Sequence, residues 1–319
     1  MTSPAGEAMT ILTDTRQLSE IAGPVCLAIG VFDGVHLGHQ AVLRRAWDDA
    51  KSLGGTAVAI TFDPHPVKIL RPQSAPRLLT STPHKLQLIS QLGFPCALVI
   101  AFDEKMAATS AEDFLASLYQ PARQLKEIVV GCNWAFGKNR AGSVELIRDI
   151  GAMEGFIAVE IPAVESGGQL VSSTRIRRSI EEGDFASAAI CLGRPYAILG
   201  TVIPGKQVGR TLGFPTANLR AHNEQFPPNG VYAVQASVVG KQVSGVANIG
   251  VRPTIESQGE RVLEVHLLNF DQDIYGQQIE ITFVSMLRHE QKFTSLEALK
   301  SQIQKDVAAA TTIFEGSKF

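Results

Sequence analysis

The chain has 319 residues, enough for one large domain or two ordinary ones, and its 45% hydrophobic and 19% charged content excludes a disordered polar chain. A formal charge of −2 and an isoelectric point of about 6.4 leave no global basic excess to hold nucleic acid or an anionic membrane, so any positive charge that binds an anion must be local. No apolar run approaches the ~20 residues that span a bilayer, no apolar signal core is visible at the start, and the four scattered cysteines (Cys26, Cys96, Cys132, Cys191) form no CxxC. These features predict buried, reduced thiols in a cytoplasmic protein with no zinc or disulfide framework.

The first half alternates. "VCLAI" (25–29) is a continuous apolar run, the pattern of a strand buried on both faces. "HQAVLRRAWDDAKSLG" has helical spacing, with Val42, Ala46, Ala50 and Leu53 on one side and Gly54 and Gly55 as its stop. Strand "TAVAITF", helix "HKLQLISQLG", strand "CALVIAF", helix "SAEDFLASLY" from Ser110 with Asp113 three residues on, strand "KEIVVGC", helix "VELIRDIGAMEG" and strand "FIAVEIPA" follow. Five strands alternating with helices predict an α/β parallel sheet with covered faces.

Beyond about residue 195 the texture changes. "GVYAVQASV", "KQVSGVANIG", "RVLEVHLLNF" and "QQIEITFV" are short strand-like runs separated by Gly, Pro, Asn and Asp, which predicts an antiparallel barrel or sandwich. Ile279, Ile281 and Phe283 share one face. One helix closes the chain, with capping-box spacing at Thr294 and Glu297 and an apolar stripe of Leu296, Leu299, Ile303 and Val307. The boundary between the halves is expected near 183–196.

"GVFDGVHLGH" (30–39) joins the first strand to the first helix. Ligands of an open parallel sheet bind beyond the carboxyl ends of its strands, and a helix N-terminus there offers N–H groups and a positive dipole end to a phosphate. Gly34 and Gly38 allow close backbone approach. His36 and His39 add donors that can stabilise charge developing on a transferred phosphate without a covalent bond. Two other readings stand: a loop pair with structural hydrogen bonds, or a metal-dependent hydrolase using His36, His39, Asp63 and His65. "VSSTRIRRSI" from Val171 also opens a helix; Ser172, Ser173 and Thr174 can cap it or bind phosphate, and Arg175 and Arg177 can offer bidentate contacts.

A second site is expected on "GKQVGRTLGFPTANL" (205–219). Gly205, Gly209 and Arg210 fit a phosphate-binding loop, or else a Gly/Pro-rich barrel turn. Thr216 and Asn218, two apart on one face, present oxygens that suit Mg²⁺. Glu264, in the mostly apolar "LEVHLLNF", is either an outward strand glutamate or a general base for a substrate hydroxyl.

"GVFDGVHLGH", "TFDPHP" (61–66), "VVGCNWAFG" (129–137) and "SSTRIR", in this order, resemble the HxGH and SSTxxR marks of the nucleotidyltransferase superfamily, and within it the FMN adenylyltransferase module of bacterial bifunctional riboflavin kinase/FAD synthetases. "GRTLGFPTAN", "GVYAV", "GVANIGVRPT", "LEVHLLNFDQDIYG" and "LRHEQKF" resemble the riboflavin kinase module. The resemblance spans about residues 10–307.

The resemblance implies a Rossmann-like nucleotidyltransferase domain over 1–185 and an antiparallel β-barrel riboflavin kinase domain with a terminal helix over 186–319. It implies conversion of riboflavin to FMN on the second domain and of FMN to FAD on the first, or one of these activities if a single module is competent. ATP is the implied co-substrate and Mg²⁺ the implied cofactor; riboflavin, FMN and ATP are the implied partners, with no nucleic acid or membrane and the oligomeric state left open. On the first module it places His36 and His39 on the ATP phosphates. Ser173, Thr174 and Arg177 hold the β- and γ-phosphates, and Asn133 lies near the reacting groups. Gly30, Phe32 and Asp33 shape the nucleotide site, and Phe62, Pro64 and Pro66 wall the flavin. On the second module it makes Gly205, Gly209 and Arg210 the phosphate loop, Thr216 and Asn218 the Mg·ATP pair, Glu264 the base and Arg288 a flavin neighbour. The chain departs from the pattern at Asn133-Trp134-Ala135-Phe136-Gly137, where many relatives read Asp-Phe-Arg-Phe-Gly, and at Pro204, where relatives often carry His nearby.

Overall fold

The computed structural model describes residues 8–205, 209, 212–254 and 257–316, with 252–260 described as backbone only. The chain forms two compact units. The first comprises residues up to Pro76 and Thr82–Ser173; the second comprises Arg77–Ser81 and the chain from Thr174 onward.

The first unit is built on a six-stranded parallel sheet: β1 (Thr10–Leu12), β2 (Val25–Ile29), β3 (Thr56–Asp63), β4 (Cys96–Ala101), β5 (Leu125–Gly131) and β6 (Ile157–Ile161), in the order β1-β4-β3-β2-β5-β6. Five of these are the strands expected from the pattern. The sixth, β1, pairs Thr10 with Cys96 at one edge and is too short at three residues to leave a periodic signal. Every residue of β2 is buried, as its unbroken apolar run requires of a central strand. From β2 the chain builds outward through β3 and β4, then returns to add β5 and β6 on the other side. The carboxyl ends of β2 and β5 therefore flank a topological switch point, where sheets of this kind bind ligands.

Helices cover both faces. α1 (Leu37–Ser52) and α3 (Thr82–Gln91) contribute Leu43, Ala46 and Ile89 to one core, and α5 (Ala111–Tyr119) and α6 (Val144–Glu154) contribute Leu115, Leu118 and Ile147 to the other. Ser110 caps α5, its hydroxyl accepting from the Asp113 N–H at 3.0 Å. The stripe expected for α1 holds except at Leu53, which is 48% exposed. Leu53 is the C-cap, one residue past the end of α1 at Ser52, and Gly54 at φ 62° turns the chain away immediately after it.

After a small hairpin, β7 (Glu165–Ser166) with β8 (Gln169–Leu170), come α7 (Ser173–Glu182) and α8 (Phe185–Leu192). In the second unit, residues 77–81 are bound in by backbone: the Leu78 carbonyl accepts from Glu224 N (3.0 Å) and Gln225 N (2.9 Å). Six strands, β9 (Ala197–Ile203), β10 (Ala217–Ala221), β11 (Gly230–Val238), β12 (Lys241–Thr254), β13 (Ser257–Leu267) and β14 (Gln278–His289), close an antiparallel barrel in the order β10-β13-β12-β11-β14-β9. The alternation at Ile279, Ile281 and Phe283 buries all three, and Phe185 of α8 stacks on Phe283 at 5.5 Å.

The terminal helix, Leu296–Gly316, lies on the barrel. Ala310 is buried with Val231, Ala233 and Val246, and Val307, Ile313 and Phe314 pack against that cluster. Two details of the expected helix change. The cap is Ser295, whose hydroxyl accepts from Ala298 N at 3.1 Å, so the start falls one residue later than Thr294 would set it. Leu296 is 61% exposed because it occupies the first turn, ahead of the residues that meet the barrel. Cys26, Cys96 and Cys191 are buried and Cys132 half-buried, all as free thiols. Among the described residues no helix is long and apolar enough to cross a membrane.

Candidate active sites

The first unit's site is built on the loop from Gly30 to His36, between β2 and α1. Gly30 is required there: a Cβ would stand 2.7 Å from the buried Phe32 ring. Phe32 and Val35 both adopt positive φ, at 53° and 41°, a strained conformation for residues with side chains. His36 is the N-cap of α1, its Nδ1 accepting from the His39 backbone N–H at 3.3 Å. Ser, Thr, Asp and Asn usually fill that position. The two imidazoles stack with centroids 3.5 Å apart and planes 16° from parallel, and Phe32 meets the His39 ring edge-on. With Nδ1 accepting, Nε2 carries the ring hydrogen of a neutral His36.

The loop is pinned from several sides. Gln40 Nε2 donates to the Val35 carbonyl at 2.9 Å, and Thr61 Oγ1 on β3 donates to the Val31 carbonyl at 3.0 Å. Ser173 Oγ donates to the Asp33 carbonyl at 3.0 Å, so the first residue of α7 joins the two sequence motifs. Behind Thr61 stands Lys85 of α3, 4% exposed, with Nζ 3.0 Å from Thr61 Oγ1. Burial pushes the Lys85 ammonium down to about 8, against the opposing pull of the Asp33 and Asp63 carboxylates. Lys85 was not among the residues expected to matter. The signal was present: Lys85, Leu88, Ile89 and Leu92 recur on one helical face, which places a lysine in an apolar stripe.

Asn133 is exposed just past the end of β5, in the strand position beside β2, and Trp134 stacks on Phe136 at 4.4 Å. His36, His39, Asp33, Asn133 and Ser173 thus lie on segments at the carboxyl ends of β2 and β5 or bonded to them. Other expected residues are placed differently. Phe62 sits in the core, edge-on to Phe102 at 5.8 Å, while Pro64 is exposed and Pro66 is the first residue of α2 (Pro66–Leu70). Thr174 is exposed, and Arg177 Nε donates to the Arg77 carbonyl at 2.7 Å within the second unit. His65 caps α2 by accepting from Val67 N at 3.2 Å. Among the described residues no group of three or more His, Cys, Asp or Glu could hold a metal, so the hydrolase alternative has no support.

The second unit's site follows from strand register. Glu264 of β13 pairs with Asn218 of β10 on one side and Asn248 of β12 on the other. Cross-strand partners lie about 5 Å apart, so an amide, a carboxylate and an amide stand in a row on one face. Asn248 escaped the sequence reading, although a polar residue inside "GVANIG" marked it. Gly205 lies directly against Asn218, where a Cβ would come within 2.1 Å of Nδ2. Gly209 lies against Thr216, where a Cβ would be 3.1 Å from Oγ1 and 2.4 Å from the Phe214 carbonyl. Gly205 and Gly209 thus lie directly against Asn218 and Thr216, the two residues expected to serve Mg²⁺. Arg210 lies outside the described residues. His266, two residues beyond Glu264, hydrogen-bonds the Pro215 carbonyl at 2.8 Å through Nδ1 and braces Phe214 edge-on at 5.5 Å. A cavity of about 390 Å³ opens beside Thr216, lined by Val265, Phe270, Asp271 and Tyr275 among others.

Arg288 is held by an ion pair. Its Nε and Nη2 meet the Asp306 carboxylate at 3.0 and 2.9 Å, and Gln302 Nε2 donates to the same carboxylate at 2.9 Å. The pair ties β14 to the terminal helix.

A parallel sheet with a histidine-capped loop at its switch point, followed by an antiparallel barrel carrying a carboxylate between two amides, is the two-module architecture of a transferase. The family model "FAD synthetase" matches residues 18–175 and the family model "Riboflavin kinase" matches residues 192–314. The bifunctional riboflavin kinase/FMN adenylyltransferase of Pseudomonas fluorescens is 38% identical over 289 residues, covering 90% of this chain and 93% of that protein. The protein of the same name from Escherichia coli (strain K12) is 36% identical over 308 residues, covering 96% and 98%. A crystal structure titled as a macrolide-efflux protein from Streptococcus pneumoniae shares the fold with a TM-score of 0.78 and 26% identity over 95% of this chain and 98% of that one. The chain belongs to the family of bifunctional riboflavin kinases/FMN adenylyltransferases.

Proposed function

We propose a residue-level division of labour between two ATP-dependent reactions on this chain, with the domain division at 185/186. The protein is a transferase of FMN and FAD synthesis, and ATP is the co-substrate of both steps. The observation that carries the division is the presence of two separate polar constellations, one on each unit: the stacked His36–His39 cap and the Asn218–Glu264–Asn248 row.

On the barrel unit, Glu264 takes the proton of the ribityl 5′-hydroxyl as that oxygen attacks the γ-phosphorus of ATP; FMN forms and ADP leaves. Gly205, Gly209 and Arg210 cradle the phosphates. The Thr216 hydroxyl and the Asn218 amide oxygen are hard donors of the kind that would hold Mg²⁺, which would neutralise phosphate charge there. Arg288 is assigned near the flavin.

On the sheet unit, an oxygen of the FMN phosphate attacks the α-phosphorus of a second ATP. The bond from that phosphorus to the bridging oxygen of the β-phosphate breaks, FAD forms and pyrophosphate leaves. His36 and His39 donate hydrogen bonds to oxygens that gain charge, with no covalent enzyme intermediate. Ser173, Thr174 and Arg177 are assigned to the β- and γ-phosphates, Asn133 to the reacting groups, and Gly30, Phe32 and Asp33 to the nucleotide. Pro64 and Pro66 are assigned to the flavin side, with Phe62 beneath them. Small-molecule flavin and nucleotide substrates and a net charge of −2 accord with a cytoplasmic enzyme without nucleic-acid or membrane partners.

The test is incubation of the full chain with riboflavin, ATP and Mg²⁺, with flavins separated over time. FMN appearing first and FAD second is the expected result. FMN accumulating without FAD, even from added FMN, would overturn the assignment on the sheet unit; untouched riboflavin would overturn that of Glu264.

A further inference from the structure

We propose that Lys85 is a positioning residue for adenylyl transfer: its ammonium group, acting through the Thr61 hydroxyl and the Val31 carbonyl, fixes the loop that presents His36 and His39. The inference rests on the reading of those histidines as the phosphate-contacting pair.

Lys85 sits where packing alone would select an apolar residue. It is on the buried face of α3 with Leu86, Leu88 and Ile89, and a buried ammonium is costly unless something is gained from it. Its hydrogen-bond partner is a neutral hydroxyl, Thr61 Oγ1 at 3.0 Å, which itself donates to the Val31 carbonyl at 3.0 Å. A lysine has three protons to donate and nothing to accept, so Thr61 must take from Nζ and pass its own proton on to Val31. The direction of this relay is therefore fixed, and it ends on the backbone one residue before the strained Phe32. Strained residues persist only where the surroundings over-determine them. The loop meets that demand with pins at Val31, at Asp33 through Ser173, and at Val35 through Gln40. Lys85 anchors the pin that reaches into the interior.

Charge gives the lysine a second effect that a neutral donor could not supply. Asp33 is buried in the loop and Asp63 ends β3, and both interact favourably with the Lys85 charge. The Lys85 charge offsets part of the carboxylate charge that a polyphosphate at this loop would meet.

The test compares Lys85→Met and Thr61→Val in the full chain, with thermal melts and circular dichroism as the control on folding of the sheet unit and riboflavin phosphorylation as the control on the barrel unit. Displacing catalytic groups by about 1 Å costs up to about 100-fold, so K85M is expected to lower kcat of FMN adenylylation by about 10–100-fold. KM for FMN should move by less than about 2-fold, and riboflavin phosphorylation should be unchanged. T61V is expected to lower the same kcat by a smaller factor. The double variant should be no slower than K85M, because both substitutions break one relay. A folded K85M that keeps kcat within about 2-fold, or effects of the two substitutions that multiply, would overturn the proposal. If K85M does not fold, T61V decides: wild-type kcat in T61V overturns it. His36→Asn, run alongside, separates the two readings, since an active H36N would reject the histidine assignment whatever Lys85 does.

Discussion

His36 serves His39 twice: its Nδ1 accepts the His39 backbone N–H at 3.3 Å, and its ring stacks on the His39 ring at 3.5 Å. One side chain thus caps α1 and orients its neighbour. The two functions can be separated, because asparagine is among the best N-caps yet has no imidazole. His36→Asn should keep the thermal transition of the protein near that of wild type and lower FMN adenylylation by about 100-fold, the scale of losing one positioned donor. His36→Ala should show the same loss and in addition cost about 1 kcal/mol from the missing cap. Steady-state rates with FMN and ATP, together with thermal melts, check both; an H36N enzyme with normal turnover would leave the imidazole with structural duty alone.

Glu264 stands between Asn218 and Asn248 in the strand register, so its carboxylate can be neutralised with little change of shape. Glu264→Gln should reduce riboflavin phosphorylation by about 100-fold or more, the range of a lost general base. Formation of FAD from supplied FMN should be unaffected. Equal loss of both activities would point to misfolding and not to the base.

The glycine at 205 has no room for a methyl group, since a Cβ there would stand 2.1 Å from Asn218 Nδ2 and 2.4 Å from its Cγ. Gly205→Ala must displace the Asn218 amide or the loop. The expected consequence is a raised KM for ATP and a raised Mg²⁺ requirement in riboflavin phosphorylation, with FMN adenylylation unchanged. Kinetics at varied Mg²⁺ would reveal this; unaltered ATP and Mg²⁺ dependence would remove Asn218 from the proposed ion site.

Most of this arrangement could be read from the chain because its motifs are local. The loop from Gly30 to His39 and the loop from Gly205 to Asn218 are each continuous in sequence, and the apolar run at 25–29 marks where the first begins, whereas β9, which leads into the second, was not among the expected strands. What stayed hidden depends on long-range pairing. Asn248 joins the row with Glu264 and Asn218 through a register with β13 that no local pattern specifies. Lys85 reaches the loop after β2 through Thr61, 24 residues away, and only the buried face of its helix hinted at that. Arg288 is another case: the resemblance implied a flavin neighbour, and no local pattern pointed to Asp306, the partner 18 residues on that holds it. Leu53 and Leu296 extended helical stripes correctly by period and failed by position, at helix ends where the core is already left behind.

The Arg288–Asp306 pair is largely shielded from water, with side-chain exposures of 19% and 6%. Removing one member of such a pair leaves the other charge buried and uncompensated, at a cost of about 3 kcal/mol or more. Asp306→Ala should therefore lower the melting temperature of the barrel unit and loosen the terminal helix. Hydrogen exchange along 296–316 would register that loosening, and unchanged protection there would mean the pair contributes nothing to holding the helix.

Glu127 provides a prediction about pH. It is buried on β5, paired in register with Cys26 of β2, and faces Asp49 and Arg45 of α1, with Arg45 Nε 3.8 Å from its Oε1. Burial first, and then a hydrogen bond and the charge of Asp49, push the Glu127 carboxyl up to about 7, although Arg45 opposes this. Its affinity for a proton is thus greater folded than unfolded. The associated stability is fully present below the unfolded value near 4.5 and is lost as pH rises through about 7. Glu127→Gln keeps a neutral side chain of the same shape at every pH. Wild type and E127Q should melt at similar temperatures at pH 4, and E127Q should be the more stable of the two at pH 8, where the wild-type carboxylate must ionise inside the unit. Thermal melts of both proteins from pH 4 to 8 provide the comparison. Parallel curves across that range would show that Arg45 satisfies the charge and that burial of Glu127 carries no penalty at neutral pH.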